Sequence, residues 1–176
     1  MTVRSFAAVT AVVLSLFAAG CSADEPTGPP PPAPIGEGPL RLTDPCTLLP
    51  ASEVSVAGLR PATPGPARND GYRDCRWVHG EEKKFDHQVN VTVIASAEFP
   101  TVQDNEAFAV DTMSPGGREG KRLRYQGTAG CQYVLDTAPA ERVSMTVLAS
   151  AGTVEQACAL LDSYATSMVK ALPAGV

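Results

Sequence analysis

Four of the five cysteines are spaced so that each falls in a different predicted element, and this spacing limits how the chain can fold. Cys46 lies at a helix start, Cys75 and Cys131 lie in strand-like segments, and Cys158 lies on the apolar face of a C-terminal helix. In an exported domain, an even number of cysteines indicates disulfides. Three pairings are possible. We favour Cys46–Cys75 and Cys131–Cys158, because each bond would attach a helix to the sheet on which it packs. Each bond would contribute about 3–4 kcal/mol to the free energy of unfolding.

Residues 1–20 have the composition of an export signal. Arg4 supplies a positive charge, and Phe6–Ala19 is an uncharged stretch of 14 residues that ends in small side chains. This stretch is shorter than the roughly 20 residues that a helix needs to span a bilayer. The alternative is a buried helix, but a globular helix would not run directly into a proline-rich tract. We therefore interpret residues 1–20 as a signal peptide.

The segment LFAAGC at residues 16–21 resembles a bacterial lipobox, with Ala18 at the position where that motif often has leucine. The resemblance implies that the Cys21 thiol receives a diacylglyceryl group and that the peptide bond before it is cut. The alternative is a free thiol after ordinary export, which is a liability in an oxidising compartment. Two or more acyl chains would hold the protein stably on a membrane. We expect Cys21 to be a lipid attachment site on the extracytoplasmic face of the cell membrane.

Residues 21–39 predict a tether behind this anchor. Seven prolines fall between Ser22 and Pro39, a composition that favours extended polyproline II and does not form a core. At about 3.1 Å per residue, the tract would hold a domain up to roughly 55 Å from the bilayer. A PxxP ligand for a partner is the alternative use of such a tract.

The periodicity of residues 40–176 predicts one α+β domain with the element order α-β-β-α-β-β-β-α. Helices are expected at residues 44–56, 104–112 and 154–172, and strands at 75–79, 86–95, 121–126, 130–136 and 141–150. The last helix has the clearest signals, because Thr153 and Gln156 form a capping box and Pro173 ends the apolar repeat. An antiparallel sheet of about five strands, with helices packed on one face, would bury the apolar side chains of both kinds of element.

The same segments resemble a known family. Asp44-Pro45-Cys46, then Cys75-Arg76-Trp77, then Gly130-Cys131 and a cysteine on the final helix occur in this order behind the lipobox and the proline tract. This order resembles a family of actinobacterial lipoproteins that is catalogued as a domain of unknown function. The resemblance implies a cell-envelope lipoprotein and offers no activity. A fainter similarity, without a shared motif, is to the two-disulfide sensor domains outside some mycobacterial kinases.

One basic cluster stands out in an acidic chain. Its members are Arg118, Lys121, Arg122 and Arg124. Such a cluster can bind a lipid phosphate, an anionic polymer or an acidic partner, with Gly116 and Gly117 letting the backbone approach an anion. The alternative, which we favour, is a charged strand edge that resists aggregation.

The sequence predicts neither a metal site nor a cofactor. His79 and His87 lie near Glu81, Glu82 and Asp86, and this group has the ligand types of a metal site. However, the strand alternation places His79 with Cys75 and Trp77, and His87 with the valines of the next strand, so we expect the histidines to pack. A zinc site built from the four cysteines is disfavoured because no CxxC spacing is present.

These features favour a binding protein over an enzyme. The sequence contains no GxSxG elbow, P-loop or GxGxxG, and without residues 1–20 its 13 basic and 19 acidic side chains exclude a nucleic-acid partner. We expect a non-enzymatic binding or accessory module, anchored to the membrane, whose partner is an unknown envelope protein, polymer or apolar ligand. The alternative is a carrier that holds a lipid or other apolar molecule between sheet and helices, at Met145, Ala149, Ala165 and Met168. A small hydrolase is a third hypothesis.

Overall fold

Seven strands form one antiparallel sheet. They are β1 (Thr63–Pro64), β2 (Tyr72–Glu81), β3 (Lys84–Ala95), β4 (Phe108–Met113), β5 (Gly120–Tyr125), β6 (Gly130–Ala138) and β7 (Glu141–Ala149). Their spatial order is β1-β2-β3-β7-β6-β5-β4. The computed structural model describes residues 38–66, 68, 70–81, 84–96 and 102–176. The predicted signal peptide, Cys21 and nearly all of the predicted tether lie outside the described residues.

Two α-helices and three 3-10 turns accompany the sheet. The α-helices are α1 (Ala51–Val56) and α2 (Val154–Ala171), and the turns are Pro39–Leu42, Pro45–Thr47 and Pro115–Gly117. Among the described residues, no helix has the length and apolar character needed to cross a membrane.

β3 lies between β2 and β7, and its alternation places three valines in the core. Val89, Val91 and Val93 are fully buried. The apolar residues that face them across the two ladders are Cys75, Trp77, Val143, Met145 and Val147. Because residues in register share a face of the sheet, these side chains form one continuous apolar layer.

Two separate segments cover this apolar face. The helical cover is α2, which packs on β5, β6 and β7. The N-terminal cover is residues 39–62, whose turns pack on β2 and β3. The opposite side of the sheet, named here the uncovered face, has no α-helix packed on it in the described part of the chain.

Each cover is attached to the sheet by a disulfide. Cys46–Cys75 joins the N-terminal cover to β2, and Cys131–Cys158 joins β6 to α2. The pairing favoured by the sequence is therefore confirmed. Each bond connects an element to the strand beneath it, so each cover has a fixed position on the sheet.

Two charged side chains hold the start of the N-terminal cover. Both carboxylate oxygens of Glu141 accept the backbone N–H of Leu40, at 3.1 and 3.2 Å. The Arg73 guanidinium donates to the carbonyl oxygens of Leu40 and Thr43, the latter at 2.7 Å. Leu40 and Glu141 are fully buried. Because buried polar groups are stable only when they are hydrogen-bonded, this network fixes the point at which the chain enters the domain.

The predicted fold class is wrong in two respects. The sheet has seven strands instead of about five, because β1 forms where neither a helix nor a strand was predicted and β4 forms where a helix was predicted. Several helices do not pack on one face: the predicted first helix is a 3-10 turn at Pro45–Thr47 followed by the six residues of α1, and only α2 is long.

The error at residues 104–112 has a local cause. The polar side chains that were interpreted as a helix cap instead close a turn: Asn105 Oδ1 accepts the N–H groups of Ala107 and Phe108, at 2.7 and 3.2 Å, and an Asp104 carboxylate oxygen accepts from Val110. Asx turns of this kind compete with helix formation. The chain then pairs with β5 from Phe108 onward.

The remaining predictions of secondary structure are confirmed. The hairpin of β2 and β3 and the three strands β5 to β7 occur at the predicted places, within a few residues at their ends. In α2, the Thr153 hydroxyl accepts the Gln156 N–H and the Gln156 side chain accepts the Thr153 N–H, so the predicted capping box is present.

Replacing Glu141 with leucine should destabilise the domain, because the buried Leu40 N–H then has no acceptor. We expect the free energy of unfolding to fall by about 1–3 kcal/mol, measured by urea denaturation of the oxidised protein. Glu141→Gln keeps one acceptor oxygen and should lose less. Equal losses in the two variants would contradict the role given to this hydrogen bond.

Candidate functional site

An apolar pocket, named here the α1 pocket, lies between the N-terminal cover and the sheet. Its lining includes the buried side chains of Leu49, Leu59 and Trp77, together with Ala51 and Val54 of α1. The pocket has a volume of about 680 Å³, within the range of about 300–1,000 Å³ that is typical of small-molecule sites. The other lining residues are Cys46, Thr47, Pro50, Ser55, Pro61 and Ala62.

The α1 pocket lies beside a helix that buries little. None of the six residues of α1 is buried, and Val54 is partly buried against the core. Gly58, with φ of +64°, turns the chain back after the helix, and Leu59 then donates its N–H to the Val54 carbonyl oxygen at 2.9 Å. Arg60 donates its N–H to β2, so the chain returns to the sheet at once. A helix of six residues is not stable alone. The hydrogen bonds of Leu59 and Arg60, which follow α1, therefore help to hold it in place.

Two large apolar side chains of the N-terminal cover are exposed. Val56, which is 87% exposed, directly follows the lining residue Ser55 in the chain. Leu42, which is 89% exposed, lines a separate depression with Arg73 and Asp74.

A second depression, named here the open-face groove, lies on the uncovered face. Ile94, Leu123 and Val134 form part of its floor, residues 102–105 form a wall, and its volume is about 510 Å³. Arg142 also lies in the floor, and its Nε donates to Asp136 Oδ1 at 2.6 Å. The groove therefore combines apolar side chains with an ion pair, and it is more polar than the α1 pocket.

The structure does not gather the predicted basic cluster into one surface. Arg122 donates to both carboxylate oxygens of Asp111, at 2.8 and 2.9 Å, and Arg124 lies 3.4 Å from the same carboxylate. These hydrogen bonds, with the charge of both arginines, lower the pKa of Asp111. Lys121 is in register with Val134 on the uncovered face, whereas Arg122 is in register with Tyr133 on the covered face. The carbonyl oxygen of Arg118 accepts the Tyr133 hydroxyl at 2.9 Å.

The two histidines lie together at the edge between the covers. Their rings are stacked, with centroids 5.0 Å apart and planes 10° apart. His79 Nδ1 lies 2.9 Å from Asp86, and His87 Nε2 lies 3.2 Å from the hydroxyl of Tyr164 on α2. Burial, and then the charge of His79, lower the pKa of His87. The expectation that His79 faces the same side as Trp77 is confirmed by the register.

This arrangement does not suit a metal ion. Lone pairs of imidazole nitrogens lie in the ring plane, so two nearly parallel rings confine them to separate parallel planes and do not direct them toward a common point. Within the described ranges, no group of three or more His, Cys, Asp or Glu side chains is placed to hold a metal ion. Glu82, which the sequence placed near the histidines, lies outside the described residues.

Sequence reasoning missed both depressions. The sequence did contain a signal for the α1 pocket. Pro50 and Gly58 limit the helix between them to a length that buries little apolar surface, while the large apolar side chain of Trp77 must be covered by another segment. The open-face groove was missed because part of its wall, Asp104 and Asn105, belongs to the segment that was predicted to be a helix.

Acidification should weaken the fold through His87. Its pKa is lower in the folded state than the usual value of about 6.5. The unfolded chain therefore takes up the proton first as the pH falls, and the free energy of unfolding decreases. Urea denaturation between about pH 7.5 and 5.5 should show a larger loss in the wild type than in His87→Gln, which keeps a partner for Tyr164. An equal loss in both proteins would disprove this contribution.

Comparison with known proteins identifies a family without assigning an activity. Neither the comparison with curated proteins nor the comparison with solved structures finds a match. The family model described as "Protein of unknown function (DUF3558)" matches residues 16–171. This range contains the lipobox-like segment, both disulfides and every lining residue of the α1 pocket. The chain therefore belongs to the DUF3558 family of proteins of unknown function.

Proposed function

We propose that this protein is an actinobacterial lipoprotein, held by acylated Cys21 on the extracytoplasmic face of the cell membrane, and that its domain is a non-enzymatic binding module. The lipobox-like segment and the proline tract support the anchor. The observation that carries the binding role is the α1 pocket, which has the volume and the apolar lining of a ligand site.

The position of the pocket supports this combination of anchor and binding module. The chain enters the domain at Leu40, which Glu141 and Arg73 hold. The exposed Leu42 follows two residues later, and the pocket residues begin at Cys46. Anchor, tether and binding site are thus consecutive in the chain, and the site belongs to the segment that the tether leads into.

The carrier hypothesis placed its ligand between sheet and helices, and the packing disfavours that location. Met145, Ala165 and Met168 are fully buried in the core cluster with α2. Interiors of this kind are close-packed and leave little space for a ligand. The α1 pocket, with a volume of about 680 Å³, offers more space for a lipid or other apolar molecule than this core does.

The anchor is tested by substituting Cys21. In an actinobacterial host supplied with an alkyne-tagged palmitate, the wild-type protein should take up the label and sediment with membranes. Cys21→Ser should lose the label, whereas the matched control Ser22→Ala, which keeps the cysteine, should take it up as the wild type does. A Cys21→Ser protein that keeps the label would contradict the proposal.

The binding role is tested on the same Cys21→Ser protein by native mass spectrometry. A bound molecule that organic extraction removes is expected after export from the same host. A mass equal to that of the polypeptide alone, in repeated preparations with both disulfides formed, would contradict a ligand-binding role.

A further inference from the structure

Four side chains meet where the two covers adjoin, and together they are named here the histidine joint: His79 of β2, Asp86 and His87 of β3, and Tyr164 of α2. We propose that the histidine joint is a pH-sensitive switch, in which protonation of both imidazoles separates their stacked rings and releases Tyr164 from His87. The inference is independent of the proposed function. It gives the domain a local response to acid that occurs while the core remains folded.

The histidine joint contacts both covers. The His79 ring lies against Gly58 of the N-terminal cover, since a Cβ at Gly58 would lie 3.4 Å from His79 Cδ2 and Nε2. Toward α2, the ring centroids of His87 and Tyr164 are 6.1 Å apart, and His87 Nε2 lies 3.2 Å from the Tyr164 hydroxyl oxygen. The stacked imidazoles therefore lie between the N-terminal cover and α2.

In the described part of the chain, one carboxylate faces the two imidazoles. Asp86 lies 2.9 Å from His79 Nδ1 and is largely exposed, so it compensates one positive charge at the rim of the joint. The groups whose charge acts on His87 are His79 and Asp86. Tyr164 stays neutral, because burial raises its pKa. The other packed elements contribute groups that do not ionise: β7 has Ala149 in register with His87, and the N-terminal cover has a glycine. A second proton therefore has no carboxylate of its own.

The second charge is unfavourable in the closed joint. His87 is 8% exposed and Tyr164 is 5% exposed. Two like charges on rings 5.0 Å apart repel strongly where little water is present. Burial, and then the charge of His79, lower the pKa of His87, whereas an open joint that admits water restores it toward about 6.5. Since the open form binds the proton more tightly, a falling pH favours the open form.

The switch is tested by NMR on the full chain with Cys21→Ser and both disulfides formed. At about pH 7.5, nuclear Overhauser cross-peaks are expected between the two imidazole rings and between His87 and Tyr164. Both should be lost together as the pH falls toward about 5, and both should return on neutralisation. The cross-peak between Val91 and Met145, which are in register in the core, should persist throughout.

Two variants at the rim of the joint should shift this loss in opposite directions. The side chain of His79 is 39% exposed and that of Asp86 is 71% exposed, so both substitutions should leave the core packing intact. His79→Gln removes the like charge, and the contact between His87 and Tyr164 should persist to a lower pH than in the wild type. Asp86→Asn removes the carboxylate, and the same contact should be lost at a higher pH than in the wild type.

Three results would overturn the inference. The first is joint cross-peaks that persist down to about pH 5, and the second is joint cross-peaks that are lost only together with the core cross-peak. The third is a loss at the same pH in the wild type, His79→Gln and Asp86→Asn. None of these results bears on the proposed function, which concerns the anchor and the α1 pocket.

Discussion

The division of one sheet face between two covers, each joined to the sheet by a disulfide, is the constraint on which the rest of the structure depends. Cys131–Cys158 holds an amphipathic helix whose apolar side chains complete a core over β5 to β7. Cys46–Cys75 holds a segment of turns over β2 and β3 that has no such helix. Because the second cover buries less apolar surface of its own, the covalent bond contributes a larger share of what keeps it in place.

This difference explains why the candidate site lies where it does. Under α2 the side chains interdigitate, and Leu161 and Met168 are fully buried. In the N-terminal cover, Leu40, Leu48, Leu49 and Leu59 reach into the core, and the pocket lies beside α1. At the other end of that cover, the Leu40 N–H donates to Glu141 and the Leu40 carbonyl oxygen accepts from Arg73. The N-terminal cover is thus fixed at its ends, and the helix between them has no buried residue.

The sequence predicted those parts of the fold that are governed by local periodicity or capping. α2 has a capping box and a helical apolar repeat, and β3 alternates strictly through Val89, Val91 and Val93, so both were found. β4 was missed because Asp104 and Asn105 have the residue types of both a helix cap and an Asx turn, and only pairing with β5 decides between them. The α1 pocket was not predicted, because a cavity depends on what a short helix fails to bury, and periodicity does not report that. The basic cluster was grouped by sequence distance, but alternation sends Lys121 and Arg122 to opposite faces.

The central claim, that the two covers differ in how firmly they lie on the sheet, is tested most directly by native-state hydrogen exchange. The account predicts that the amides of α1 exchange much faster than those of α2. Equal protection of the two helices would contradict it.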